Sequence, residues 1–346
     1  MSRPVNARRP CGGIRTVLVR FRVARAEPWI IQENALRVSP TGHVLAVWLI
    51  ASASAGAVLP SCARGAAPKP PAATAAPGLD ELMNMKYTGI GSDGGVTLAD
   101  GRYENEKARR SVSFARGFRV TGDLDGDGRD EAVVLLGESR GGSGTFNYLA
   151  IVGRKEGAAV SLATTPLGDR VQVRAARIEK QRLVVDVLRP GAQDAMCCPG
   201  ELATVAWELK GGRLQPVETG VKPARLSLAA LGGTEWVLRS WAWDEPVAQG
   251  IEITFEVKGD RIAGRAACNS FFATATARES PGDLALGAAG ATKMACPEPQ
   301  MAAESRFLAR LDAVRKYSFV AGQLALSWNE GDKTGTMLFE RRAKKK

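Results

Sequence analysis

From about residue 79 onward, short apolar runs of four to eight are separated by Gly/Asp turns, and this spacing favours strands over helices. Val133-Val134-Leu135-Leu136, Tyr148-Leu149-Ala150-Ile151-Val152, Leu183-Val184-Val185-Asp186-Val187-Leu188 and Thr204-Val205-Ala206-Trp207-Glu208-Leu209 are short and rich in β-branched residues, so they read as strands. Ile251-Glu252-Ile253-Thr254-Phe255-Glu256-Val257-Lys258 alternates apolar and polar, the mark of a strand with one wet face. Gly259-Asp260 turns the chain and Arg261 to Arg265 starts the return. Leu324 to Trp328 and Thr336 to Glu340 make a second hairpin. Two helices are expected: a short one near Leu79 to Met85, and an amphipathic one over Pro297 to Arg315. In the latter, Met301, Phe307, Leu308, Leu311 and Val314 share a face. The fold class is therefore mainly β or α+β, with two small β-rich domains at 79–218 and 229–342. The second is barrel-like around its amphipathic helix.

The rest of the chain reads as leader, tethers and tail. Val44 to Leu59 is a run of sixteen residues without a charge. A membrane span needs about 20, so this run fits the apolar core of a signal peptide. It ends in Leu59-Pro60-Ser61-Cys62, which resembles a bacterial lipobox and makes Cys62 the expected lipidation site. Pro60 stands where that motif usually has a small or β-branched residue. Residues 1–62 are thus a leader and signal segment. The Arg-rich stretch before residue 36 reads as a start codon placed too far upstream, or as an organelle-type transit peptide. The Pro/Ala-rich 63–78 is a semi-extended tether, 219–228 a second linker, and 343–346 a basic tail.

Charge and histidine content exclude several functions. Residues 1–62 hold eight Arg and two Glu, leaving 39 basic and 34 acidic residues in the remainder. Arg341, Arg342 and Lys344 to Lys346 account for that excess, so the folded part is near neutral. No nucleic-acid partner is expected. The one histidine, His43, precedes the export segment. A mature protein without His has no His general base, no Ser-His-Asp or Cys-His nucleophile and no His-liganded zinc.

The stretch most suggestive of a site runs from Gly122 to Glu131. Asp123, Asp125 and Asp127 put carboxylates at loop positions one, three and five, followed by a Gly. A hard cation such as Ca²⁺ takes that pattern, with the Arg129 carbonyl at position seven and Glu131 at nine. Position twelve is Val134 and a strand follows, so the stretch resembles the loop-to-strand calcium sites of FG-GAP and integrin-type β repeats. The opposing readings are a solvated Asp/Gly turn and a hydrolase using the Asp123–Glu131 carboxylates as acid and base. Arg140 to Thr145 lacks the Gly-Lys-Ser/Thr ending of a phosphate loop and reads as a hairpin loop. Together with Asn84 to Tyr87, Asp100 to Tyr103 and Met196 to Pro199, the Asp loop resembles an uncharacterised domain of secreted bacterial proteins. No activity comes with that resemblance.

Toward the C-terminus, Gly233 to Leu238, Ala267-Cys268-Asn269, Thr292 to Cys296, Glu304 with Phe307 and Leu311, and the hairpin from Leu324 to Phe339 occur in the order of META/HslJ-like domains. The resemblance covers about a third of the chain. It implies a barrel-like fold, an envelope or heat-shock-associated role and no established catalytic centre. Ala267 stands in place of the usual Gly of Gly-Cys-Asn.

Four cysteines remain beyond Cys11 and Cys62, an even number suited to two disulfides in an exported protein. Cys268 and Cys296 pair naturally within one domain. Cys197-Cys198, adjacent in a Cys-Cys-Pro-Gly turn, stays open between a vicinal disulfide, a ligand pair and two free thiols. The expected protein is a non-catalytic exported envelope lipoprotein, a binding or stress-related module. It would be held to the membrane through its lipid and would face an envelope ligand or protein.

Overall fold

The computed structural model describes residues 75–91 and 94–342. The leader, the apolar run Val44–Leu59, Cys62, most of the tether 63–78 and the tail from residue 343 lie outside the described residues. Helix α1 (Leu79–Met83) precedes a hairpin of β1 (Lys86–Thr88) and β2 (Gly95–Thr97). An antiparallel meander follows: β3 (Arg102–Asn105), β4 (Arg110–Gly122), β5 (Glu131–Ser139), β6 (Thr145–Lys155) and β7 (Ala158–Asp169). A second sheet comprises β8 (Gln172–Glu179), β9 (Arg182–Arg189), β10 (Glu201–Lys210) and β11 (Arg213–Val217), with β12 (Ala224–Arg225) on the start of β10. Part of the expected linker 219–228 is thus a sheet edge.

The unbroken apolar runs of β5 and β6 have a physical cause in the layering. Ala132, Val134 and Leu136, with Tyr148, Ala150 and Val152, face a core built with Leu82, Met83, Tyr87 and Val96. Val133, Leu135, Leu149 and Ile151 point the other way, against Val173, Leu183, Val185 and Trp207 of the second sheet. Strands covered on both faces have no polar side to alternate with. The price of this arrangement is a charge in the interior. Glu138 near the end of β5 is fully buried, with Arg110 Nε at 2.5 Å, Arg140 Nη2 at 2.8 Å and the Tyr148 hydroxyl at 2.9 Å. Burial alone would raise the Glu138 pKa, but the hydrogen bonds from Arg140, Tyr148 and Arg110 outweigh it and hold the carboxyl below its ordinary value.

The C-terminal region is a nearly closed barrel. Its strands are β13 (Glu235–Ala242), β14 (Glu245–Pro246), β15 (Ile253–Lys258), β16 (Arg261–Ala266), β17 (Asn269–Ala277), β18 (Leu284–Leu286) and β19 (Gly290–Ala291). After helix α2 (Glu298–Asp312) come β20 (Val314–Val320), β21 (Gln323–Glu330) and β22 (Lys333–Arg342). The sheet runs β18-β17-β16-β15-β13-β22-β21-β20, and its two ends meet where Asp283 bridges Lys316 and Tyr317 N–H donates to the Gly282 carbonyl at 2.8 Å. Trp236, Phe255, Phe307, Phe319 and Phe339 fill the interior, each 1% exposed or less. Phe307 of α2 meets Phe271 edge-to-face at 5.2 Å, so the helix plugs the barrel. Helix α2 ends at Asp312, three residues before the sequence expectation, because Val314 is taken up by β20. The strand expected from Ile251 starts at Ile253.

Two ties fix the start of α2. Cys268 and Cys296 form a disulfide with Cα atoms 6.0 Å apart. Buried Glu304 accepts the Asn269 backbone N–H at 2.6 Å and Asn269 Nδ2 at 3.0 Å, while Asn269 Oδ1 accepts from Thr292 Oγ1 and Met294 N–H, both at 2.7 Å. Ala267 adopts φ +67°, the left-handed region where a Gly is easier to hold, so the turn keeps its shape without the glycine. Sheet β8 meets the barrel at β20, where Phe319 N–H donates to Gln172 Oε1 at 2.8 Å and the Arg174 guanidinium lies 4.9 Å over the Phe319 ring. The described residues all belong to one compact unit, Gly65–Lys346, and among them no helix is long and apolar enough to cross a membrane.

The disulfide spans a sequence separation of 28, and replacing both cysteines by Ala should cost about 2–5 kcal/mol in urea unfolding. An unchanged midpoint would show that the bond constrains nothing. Glu304→Ala should cost about 1–3 kcal/mol by stranding the buried Asn269 N–H, and Glu304→Gln, which keeps one acceptor, should lose less. Equal losses would locate the effect in packing.

Candidate functional site

Residues 123–130 form the loop of the β4–β5 hairpin, whose register pairs Gly122 with Glu131. Leu124, 1% exposed, anchors the loop in the core between the two sheets. Gly126 and Gly128 take φ values of +83° and +81°, so the chain turns twice where only glycine is comfortable. Backbone N–H groups are drawn onto the carboxylates. Asp123 accepts from Gly126 at 2.7 Å and Gly128 at 3.1 Å, Asp125 from Asp127 at 3.1 Å, and Asp127 from Arg129 at 2.8 Å. These are the local Asx bonds that make Asp a turn residue.

Glu131 differs from the rest. It opens β5 with 3% of its surface exposed, and its Oε2 accepts the Leu124 N–H at 2.8 Å. Burial pushes its pKa up to about 7; the Leu124 N–H opposes the shift, and the negative charges of Asp125 and Asp127 add to it. Asp123, Asp125 and Glu131 each present a carboxylate oxygen, all within 4.8 Å of one another. That is a hard, all-oxygen donor set of the kind Ca²⁺ takes, and a cation there would offset the burial and the repulsion that raise Glu131.

Of the other two expected ligands, Asp127 and the Arg129 carbonyl, the first is engaged elsewhere. Asp127 turns to Arg129, with Arg129 Nη2 2.6 Å from Asp127 Oδ2, and the Arg129 guanidinium holds its carboxyl below the ordinary value. Both side chains are substantially exposed, and such a pair holds weakly. Asp127 therefore stands outside the group formed by Asp123, Asp125 and Glu131. Acid–base hydrolysis needs a carboxyl that a substrate can reach, and Glu131, with its raised pKa, is walled in by the sheet.

Of the cysteines, Cys268 and Cys296 are joined, and Cys197 and Cys198 stand as free thiols with Sγ atoms 2.7 Å apart. Cys62 lies outside the described residues. Sequence reasoning missed the Arg110–Glu138–Arg140–Tyr148 network and the Asp194 carboxyl that ties the Cys197-Cys198 turn. The signal available for the first was a Glu at the end of an otherwise apolar strand. The second gave none, since Asp in a Gly-rich turn is ordinary.

No curated protein matches the chain. Among solved structures, an NMR structure of a protein from Burkholderia xenovorans is 26% identical, covering 38% of this chain and 98% of its own, with a TM-score of 0.28. Residues 229–343, which hold the C-terminal strands and the α2 plug, match the model of the META domain.

Proposed function

We propose that this chain is a non-catalytic, exported envelope module that binds through its outer surfaces, with a Ca²⁺ ion at Asp123, Asp125 and Glu131 stiffening its first β-rich region. The Cys268–Cys296 disulfide carries the reading of export, because such bonds persist in oxidising compartments and are rare in reducing ones. The charge-free run Val44–Leu59 and the Cys62 that follows it supply the route and the anchor. The META match agrees with a stress-related module. A barrel packed with aromatic side chains has its outside left for partners. The hydrolase reading has no specific observation in its favour.

Two experiments test this. Cells expressing the full chain with labelled fatty acid should incorporate the label into the wild type and not into Cys62→Ser. Absence of label in the wild type would remove the anchor and leave simple secretion. Calcium at 100 times its Kd should stabilise the folded state by about 2.7 kcal/mol, raising the Tm by roughly 5 °C over the chelated protein. Asp125→Ala should abolish that rise. Superimposable melts with calcium and with chelator would leave the loop a solvated turn.

A further inference from the structure

The turn between β9 and β10 carries Met196-Cys197-Cys198-Pro199, which neither the barrel nor the Asp loop uses. One carboxyl ties its two ends: Asp194 Oδ2 accepts the N–H of Gly191 at 2.8 Å and of Gly200 at 2.7 Å. Asp194 is in turn ion-paired with Arg225, and Cys198 N–H donates to the Ala195 carbonyl at 2.9 Å. Inside this frame the two Sγ atoms are in direct contact, 2.7 Å apart. Cys197 is exposed and Cys198 half-buried, with Lys316 Nζ of the barrel strand β20 at 4.0 Å from Cys198 Sγ. Cys197 and Pro199 also line a cavity of about 410 Å³ with Asn147, Gln172, Val173 and Phe319, where β6, β8 and β20 come together.

We propose that Cys197 and Cys198 form a reversible redox site, oxidised to a vicinal disulfide by small-molecule disulfides of the glutathione type. The Cys197 thiolate attacks one sulfur of the oxidant RSSR, forming a mixed disulfide and expelling RS⁻, which takes a proton to become RSH. Cys198 then loses its proton and attacks the Cys197 sulfur, expelling the second RS⁻. The protein gives up two protons and two electrons, and RSSR leaves as two RSH. The order of attack follows from position. Cys197 faces solvent, whereas the contact with Cys197 and then burial push the Cys198 thiol up, against the pull of Lys316. The Lys316 ammonium is placed to steady the Cys198 thiolate in the second step, and the cavity leaves room for a small thiol beside Cys197. The proposal rests on the turn itself and not on the calcium or anchor readings.

The test equilibrates the full chain in glutathione buffers of graded ratio, quenches with an alkylating agent and maps the peptides by mass. Cys197 and Cys198 should lose alkylation together, their peptide lighter by two hydrogens, and dithiothreitol should restore both. Cys268–Cys296 should stay closed across the range. Cys198→Ser, lacking the second thiol, should retain glutathione on Cys197. Any of four results would overturn the proposal: glutathione held on Cys197 or Cys198 in the wild type, chains cross-linked through them, both thiols still alkylated at the most oxidised ratio, or no adduct on Cys198→Ser.

Discussion

The burial of β5 and β6 on both faces is the constraint on which the first region depends. Ala132, Val134 and Leu136 alternate with Val133 and Leu135 between two cores, and a slip of one residue would exchange the two sets. That penalty sets the β4–β5 register, and the register sets the loop. With Gly122 opposite Glu131, eight residues must bridge the strands, and the last carboxyl of the segment comes within 4.8 Å of the first. The position of Glu131 is therefore a consequence of the core. A buried carboxyl next to two others is an unfavourable arrangement in isolation, and its raised pKa is the direct expression of that cost.

In the barrel the corresponding constraint is the plug. Eight strands close around aromatic side chains, and α2 presents Phe307 and Leu311 inward while a tie on either side of its first turn holds it. One covalent tie and one polar tie hold it there. Cys296 precedes the helix and Glu304 reaches back from its second turn, both to the same short turn, Ala267-Cys268-Asn269. The barrel interior is filled with side chains, and at its seam with the second sheet the Cys197-Cys198 turn meets Lys316.

Local patterns were legible in the sequence, and long-range pairings were not. Ile253, Phe255 and Val257 announce a half-buried strand because the alternation is itself the consequence of one wet face. Val133 to Leu136 announce a strand but no face, since both faces are dry. Glu304 looks like a polar interruption of the helix face; its partner Asn269 lies 35 residues away, and nothing in the helix sequence points to it. The spacing of Asp123, Asp125 and Asp127 reads as a cation loop, yet spacing has no knowledge of Arg129, two residues along, which competes for Asp127. The place of Glu131 beside the Asp loop was legible from its position, but its burial comes from the sheet that it begins. Cys268 and Cys296 were legible because one domain holds both, while the contact between Cys197 and Cys198 depends on the Asp194 frame around their turn.

The central claim is that the core-driven register of β4 and β5 assembles a cation site from Asp123, Asp125 and Glu131. A crystal structure of the protein grown with calcium, with anomalous scattering used to locate the ion, tests it most directly. The account predicts one ion in the β4–β5 loop, bound by oxygens of those three residues at about 2.3–2.6 Å, with Glu131 ionised. A loop whose carboxylates face solvent at millimolar calcium, with no anomalous peak between them, would contradict it.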